Sequence, residues 1–240
     1  MVKFLIAGDS WGCGEFSPES IEKKTTIISH DGLSQYLKEA NHYVINQSCT
    51  GDNNLRQLRL INDTLKKEKF DHIIWIQTEP LRNIYQYSPF PDDQDLWNYD
   101  ITTYNKNDYN AYDNILEDWF NLTYSAAQKI YDTFNIPFYI IGGLSPVHPI
   151  IRNYTFYNNI IESWNNIIMD VKQPYNTWFH TRKIIEDYEK YLNDKRMVNE
   201  IETCIAWETA QESHKNFIAV HPNRDAHKKL TDMILKDLGK

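Results

Sequence analysis

The chain has 240 residues, 41% of them hydrophobic, and a formal net charge of −8. That length and apolar content suit a single domain over residues 1–240 with a substantial core, while the acidic balance argues against a nucleic-acid partner, whose phosphates need clustered Lys and Arg. Cys13, Cys49 and Cys204 make neither a disulfide framework nor a metal-ligand spacing, and no stretch reaches the roughly 18 apolar residues of a membrane span.

The apolar run in "MVKFLIAG" is too short for a signal-peptide core, so a soluble, cytoplasmic protein with no membrane partner is expected. The same run reads as a first buried strand ending in glycine. "LSQYLKEA" follows with apolar residues at helical spacing, then a strand in "HYVINQS", and then a helix in "DNNLRQLRLINDTLKKEK", whose mixed charges suit a solvated face. A third strand lies in "FDHIIWIQT". An irregular segment at about 80–111 interrupts the rhythm before the helical "YNAYDNILEDWFNLTYSAAQKIYDTFN" and a fourth strand in "IPFYIIGGLS". A helical cover is expected at about 180–215, and "FIAVHPNRDAHKKLTDMILKDL" closes the chain with an apolar run and an amphipathic helix starting near Asn223. Strand and helix alternate, which predicts an α/β fold: a three-layer α/β/α sandwich with a mostly parallel central sheet. Ligands of such sheets sit beyond the carboxyl ends of the strands, where Ser10, Gly51 and Thr78 each follow an apolar run.

Ser10, in "IAGDSWGCGE", has three readings. A phosphate cradle needs glycines at other spacings than this G-x-x-x-G-x-G, or a Lys after the last of them. A tight turn needs only glycines and a capping serine. A nucleophile needs a base, and His221, placed between an apolar run and the last helix, can take and return a proton near neutral pH. His148 sits in a second "VHP", but no helix is expected to start directly after it, so His221 is preferred. Asp9 is expected to bond neighbouring turn amides, Asn46 and Asn53 to serve turns, and Asp225 and His227 to cap the last helix. The scattered histidines offer no metal site. Tyr85, Tyr87, Phe90, Trp97, Tyr99, Tyr104 and Tyr109, set among Asp and Asn, suit either a sugar-binding platform or a loop packed on itself.

With "GDS" after the first strand, "NQSCTGDNN" after the second, "IQTEP" after the third, "IIGGLSPV" at the fourth and "VHPNRDAHKKL" near the end, the chain resembles the SGNH or GDSL hydrolases along nearly its whole length. The resemblance implies a flavodoxin-like fold and a cofactor-free serine hydrolase acting on a small-molecule or carbohydrate ester. It further implies Ser10 as nucleophile, His221 as base, and the backbone N–H groups of Ser10 and Gly51 as oxyanion donors. Two positions depart from the family. Glu79 stands where an asparagine donates the third oxyanion hydrogen bond, so either Glu79 is protonated or turned away, Thr78 or Gln77 donates instead, or the hole is impaired. Ile218 stands where an aspartate orients the histidine, leaving a Ser10–His221 dyad with a backbone carbonyl holding the ring, or Glu79 as the orienting group. A binding protein that keeps the fold without turnover is the alternative reading.

Overall fold

The computed structural model describes residues 1–19, 27–78, 109–143, 147–169, 217–218 and 221–239. Its central sheet is formed by β1 (Lys3–Ala7), β4 (Tyr43–Asn46), β5 (His72–Gln77), β6 (Phe138–Gly142) and β7 (Tyr157–Ile161), all parallel, in the order β4-β1-β5-β6-β7. Numbered as sheet strands alone, that is 2-1-3-4-5, the flavodoxin-like winding. The short pieces α1 (Ser10–Cys13), β2 (Glu15–Phe16) and β3 (Ile28–His30) follow β1, with β2 and β3 paired antiparallel. The remaining elements are α2 (Gly32–Glu39), α3 (Asn54–Leu65), α4 (Tyr109–Phe134), a 3₁₀ helix (Pro149–Asn153), α5 (Trp164–Met169), the antiparallel pair β8 (Phe217–Ile218) and β9 (His221–Pro222), and α6 (Arg224–Asp237).

Helices lie on both faces of the sheet because its central strands are apolar on both. Leu5, Ala7, Ile73, Trp75, Phe138 and Ile140 join residues of α3 and α4 in one core, whereas Phe4, Ile6, Ile74, Ile76, Tyr139 and Ile141 join α2, α5 and α6 in the other. Each alternating set faces one helical layer, the period of two inherent to a strand. The molecule is therefore an α/β/α sandwich. Fully burying one such Ile or Phe contributes about 1.5–3 kcal/mol, so the two faces of β1 and β5 hold the layers together.

The sequence did not suggest β7 or the β2–β3 hairpin. β7 reads "YNNII", and its adjacent asparagines lower the strand signal at a sheet edge where burial is only partial. The expected segments at about 80–111, apart from the positions that open α4, and at about 180–215 lie outside the described residues. Among the described residues no helix is long and apolar enough to cross a membrane.

Candidate active site

The end of β1 turns into α1 through Asp9. Its carboxylate accepts from the Trp11 backbone N–H at 3.0 Å, an N-cap that is worth about 1 kcal/mol. Ser10 is thereby the first residue of α1, buried to 6% exposure at the carboxyl edge of the sheet. Trp11 drops into the α2–α6 core and meets Trp164 edge to face. Cys13, the last residue of α1, donates to the Asp9 carbonyl, and burial pushes its thiol up to about 11 although a bond with Thr50 works the other way. A thiol held protonated at neutral pH is a poor nucleophile, which leaves Ser10 as the candidate in α1.

The segment after β4 runs on beside β1, with Gln47 N–H donating to Ile6 O at 2.8 Å and Cys49 N–H to Gly8 O at 3.0 Å. Asn46 does more than serve a turn: its Nδ2 donates to Gly12 O at 2.9 Å, bracing α1, while its Oδ1 accepts from Ser48 N–H at 3.0 Å. Gly51 adopts a φ of 75°, a left-handed conformation that favours glycine, and is exposed. Asn53 then caps α3 by accepting from Arg56 N–H at 2.9 Å.

The third strand end is tied to the second by Asn54. Its side-chain oxygen accepts from Thr78 N–H and its amide donates to Thr78 O, both at 3.0 Å. Asn54 and Thr78 are both buried, so this two-point bond sets the spacing of the loops after β4 and β5. Gln77 continues the face of β5 that carries Ile73 and Trp75, towards the α3–α4 layer, where its Oε1 accepts from Tyr124 Oη at 3.2 Å. Glu79 lies outside the described residues. Ser10, Gly51 and Thr78 thus follow three adjacent strands, β1, β4 and β5, around the point where the strand order reverses.

The segment bearing His221 reaches this edge from the far end of the chain. β9 lies against both α1 and β2, and the half-buried His221 ring stacks on Phe16 with centroids 4.1 Å apart and planes 18° from parallel. Ile218 is the register partner of His221 in the β8–β9 pair. One step on, the buried Glu15 carboxylate accepts from Arg224 N–H at 2.7 Å, from Arg224 Nη2 at 2.8 Å and from Ser29 Oγ at 3.0 Å. Burial would raise the Glu15 pKa, but the bonds from Arg224 and Ser29 outweigh it and hold the carboxyl below its ordinary range.

His148 belongs to a different environment. It does start a helix, contrary to the sequence expectation: it precedes the 3₁₀ helix, and its Nδ1 accepts from Ile150 N–H at 3.3 Å. The pattern was unreadable because a single 3₁₀ turn is too short to show an amphipathic period. The His148 ring stacks on Phe120 of α4 at 4.5 Å, and burial lowers its pKa against the opposing charge of Glu117.

His227 corrects another expectation, since it does not cap its own helix. It is fully buried, and its Nδ1 accepts from Leu33 N–H at 3.2 Å, at the start of α2. Asp31, next to α2, makes no side-chain cap, and His30 Nδ1 takes the Gly32 N–H at 3.0 Å. Gly32 is required there, because a Cβ would stand 2.7 Å from the His227 ring. Burial brings His227 down to about 4, so it is neutral at pH 7 and can accept this bond. Its own helix is capped by Asn223, which accepts from Ala226 N–H at 3.1 Å.

Glu15, Phe16, Asn54 and Arg224 escaped sequence reasoning. Glu15 closes "IAGDSWGCGE" and Arg224 lies within "VHPNRDAHKKL", but at 209 residues apart nothing local pairs them, and Asn54, within "NQSCTGDNN", carried no signal of its bridging role.

No family model matches the chain, and no curated protein does. Solved structures similar to it include a psychrotrophic esterase, EstA, from Pseudoalteromonas sp. (11% identity, 100% of this chain and 97% of that one, TM-score 0.42). A catalytic mutant of an acetylxylan esterase from Geobacillus stearothermophilus is 11% identical over 99% and 94% of the two chains, with a TM-score of 0.43. A lipase/acylhydrolase from Enterococcus faecalis is 12% identical over 99% and 95%, with a TM-score of 0.40.

Proposed function

We propose that the protein is a serine hydrolase of the SGNH type that cleaves carboxylic esters through an acyl-enzyme. The observation that carries this reading is the meeting of two distant segments: α1, which begins with Ser10, and β9, which begins with His221, lie against each other at the carboxyl edge of the sheet. In the proposed reaction His221 takes the proton as Ser10 Oγ bonds to the ester carbonyl carbon. The resulting oxyanion is met by the backbone N–H groups of Ser10 and Gly51. Collapse breaks the bond to the leaving alcohol, which receives the proton from the imidazolium, and water repeats the sequence to free the acid and restore Ser10. Each step is a proton or acyl transfer, so no cofactor enters the scheme.

An acyl or acetyl group on a carbohydrate is the favoured substrate, on the strength of the aromatic and acidic residues between 80 and 111. The departures at Glu79 and Ile218 favour the opposing reading, a ligand-binding protein on the same scaffold. Hydrolysis of p-nitrophenyl acetate or butyrate separates the two. Wild type is expected to exceed Ser10→Ala by about 10⁴-fold or more and to be labelled by a fluorophosphonate. Equal background rates with no labelling would favour the binding protein.

A further inference from the structure

We infer that Phe16 is a positioning residue for His221: its ring face, in a strand that the neighbouring Glu15 ties to Arg224 at the start of the last helix, sets the plane of the imidazole that serves Ser10. This rests on the hydrolase reading above and concerns the position where the family's orienting aspartate is replaced by Ile218.

A histidine that shuttles a proton needs its ring plane fixed, since rotation about the Cβ–Cγ bond would swing the nitrogens away from the hydroxyl. The nearly parallel stack at 4.1 Å restrains that rotation. Phe16 is itself buried, with 4% of its surface exposed, in a strand that pairs with β3. The neighbouring residue prevents the two segments from drifting apart: Glu15 takes the Arg224 backbone N–H and its guanidinium together. His221 is thus held from before by the ring of Phe16 and from behind by the anchored start of α6. An aromatic face also attracts a cation, so the stack favours the imidazolium that forms as Ser10 attacks. Since β2 follows α1 after one residue, Gly14, one short stretch carries the nucleophile, the ring support and the anchor.

The test compares Phe16→Leu with Phe16→Tyr, each checked for folding by near-UV circular dichroism. Two readouts are taken on each: steady-state hydrolysis of p-nitrophenyl acetate, and the NMR shifts of the His221 ring protons. In wild type those protons are expected to be displaced upfield by the Phe16 ring current. Phe16→Leu should abolish the displacement and lower kcat about 10- to 100-fold with KM within about twofold, and Phe16→Tyr should restore both. Glu15→Gln should lower kcat less than Phe16→Leu does. A wild type without the ring-current displacement, or a Phe16→Leu variant that retains wild-type kcat, overturns the positioning role while the hydrolase reading stands. Wild-type turnover no higher than that of Ser10→Ala overturns the hydrolase reading itself, and the catalytic purpose of the stack with it.

Discussion

The two sides of the candidate site are built differently. On one side, the Asp9 cap shapes the turn after β1, and the Asn46 brace and the Asn54–Thr78 pair join the loops after β1, β4 and β5 across no more than 34 residues. On the other, His221 is held by a ring stack on Phe16, and the start of α6 just after it is bonded to the buried Glu15 carboxylate, both from residues more than two hundred positions away. The first side rests on strands already fixed by two hydrophobic cores. The second rests on a few directional contacts, and so should be the easier to disturb without unfolding the sheet.

The sharpest break in this comparison is expected between the two "VHP" histidines. His221→Ala should lower the rate of acylation by about 10⁴-fold, whereas His148→Ala, removed from a stack on α4, should stay within a few-fold of wild type. Pre-steady-state acylation rates check this, and equal losses would reverse the assignment.

Next in size is an acid sensitivity on the anchored side. The His227 pKa is about 4 in the fold against an ordinary 6.5. Between those values the unfolded chain binds a proton that the native state does not, so stability rises with pH across that window and is lost as pH falls through it. A difference of about 2.5 units corresponds to about 3 kcal/mol. Urea unfolding at pH 7 and pH 4 should reveal the loss, and His227→Gln should flatten that part of the curve. Glu15, held below its ordinary carboxyl range, loses its own contribution at still lower pH, as it is protonated and its bonds to Arg224 weaken.

A smaller effect is expected on the strand-end side. Asn54→Ala leaves the buried Thr78 N–H and C=O without these partners, at a cost of about 1–3 kcal/mol measured by denaturant unfolding. The loss of spacing between the Gly51 loop and Thr78 should appear as a fall in kcat. The smallest change is expected at Glu79→Gln, which on the proposed reading should raise the rate a few-fold if the carboxylate opposes the oxyanion. A large fall would instead give Glu79 an orienting or proton-transfer role.

How much was legible follows from what each element is made of. β1, β5 and β6 are buried on both faces, so each shows as a continuous apolar run that needs no neighbour to identify it. β4, only partly buried, showed through "YVI" all the same. The helices α2, α3 and α6 carry one apolar stripe each, and the start of α6 near Asn223 was legible, whereas Asn53, expected to serve a turn, caps α3. β7 was not legible because its partial burial and two asparagines erase the run, nor was the turn after His148.

By itself, the sequence determined a mostly parallel sheet and that Ser10, Gly51 and Thr78 each follow an apolar strand run, because strand–helix alternation and burial patterns are local properties of the chain. Only the tertiary structure decided that Phe16 covers His221, that Glu15 receives Arg224 and that His227 caps a helix not its own. Those contacts depend on where two remote backbones come to rest, and a side chain's type does not record which distant partner will satisfy it.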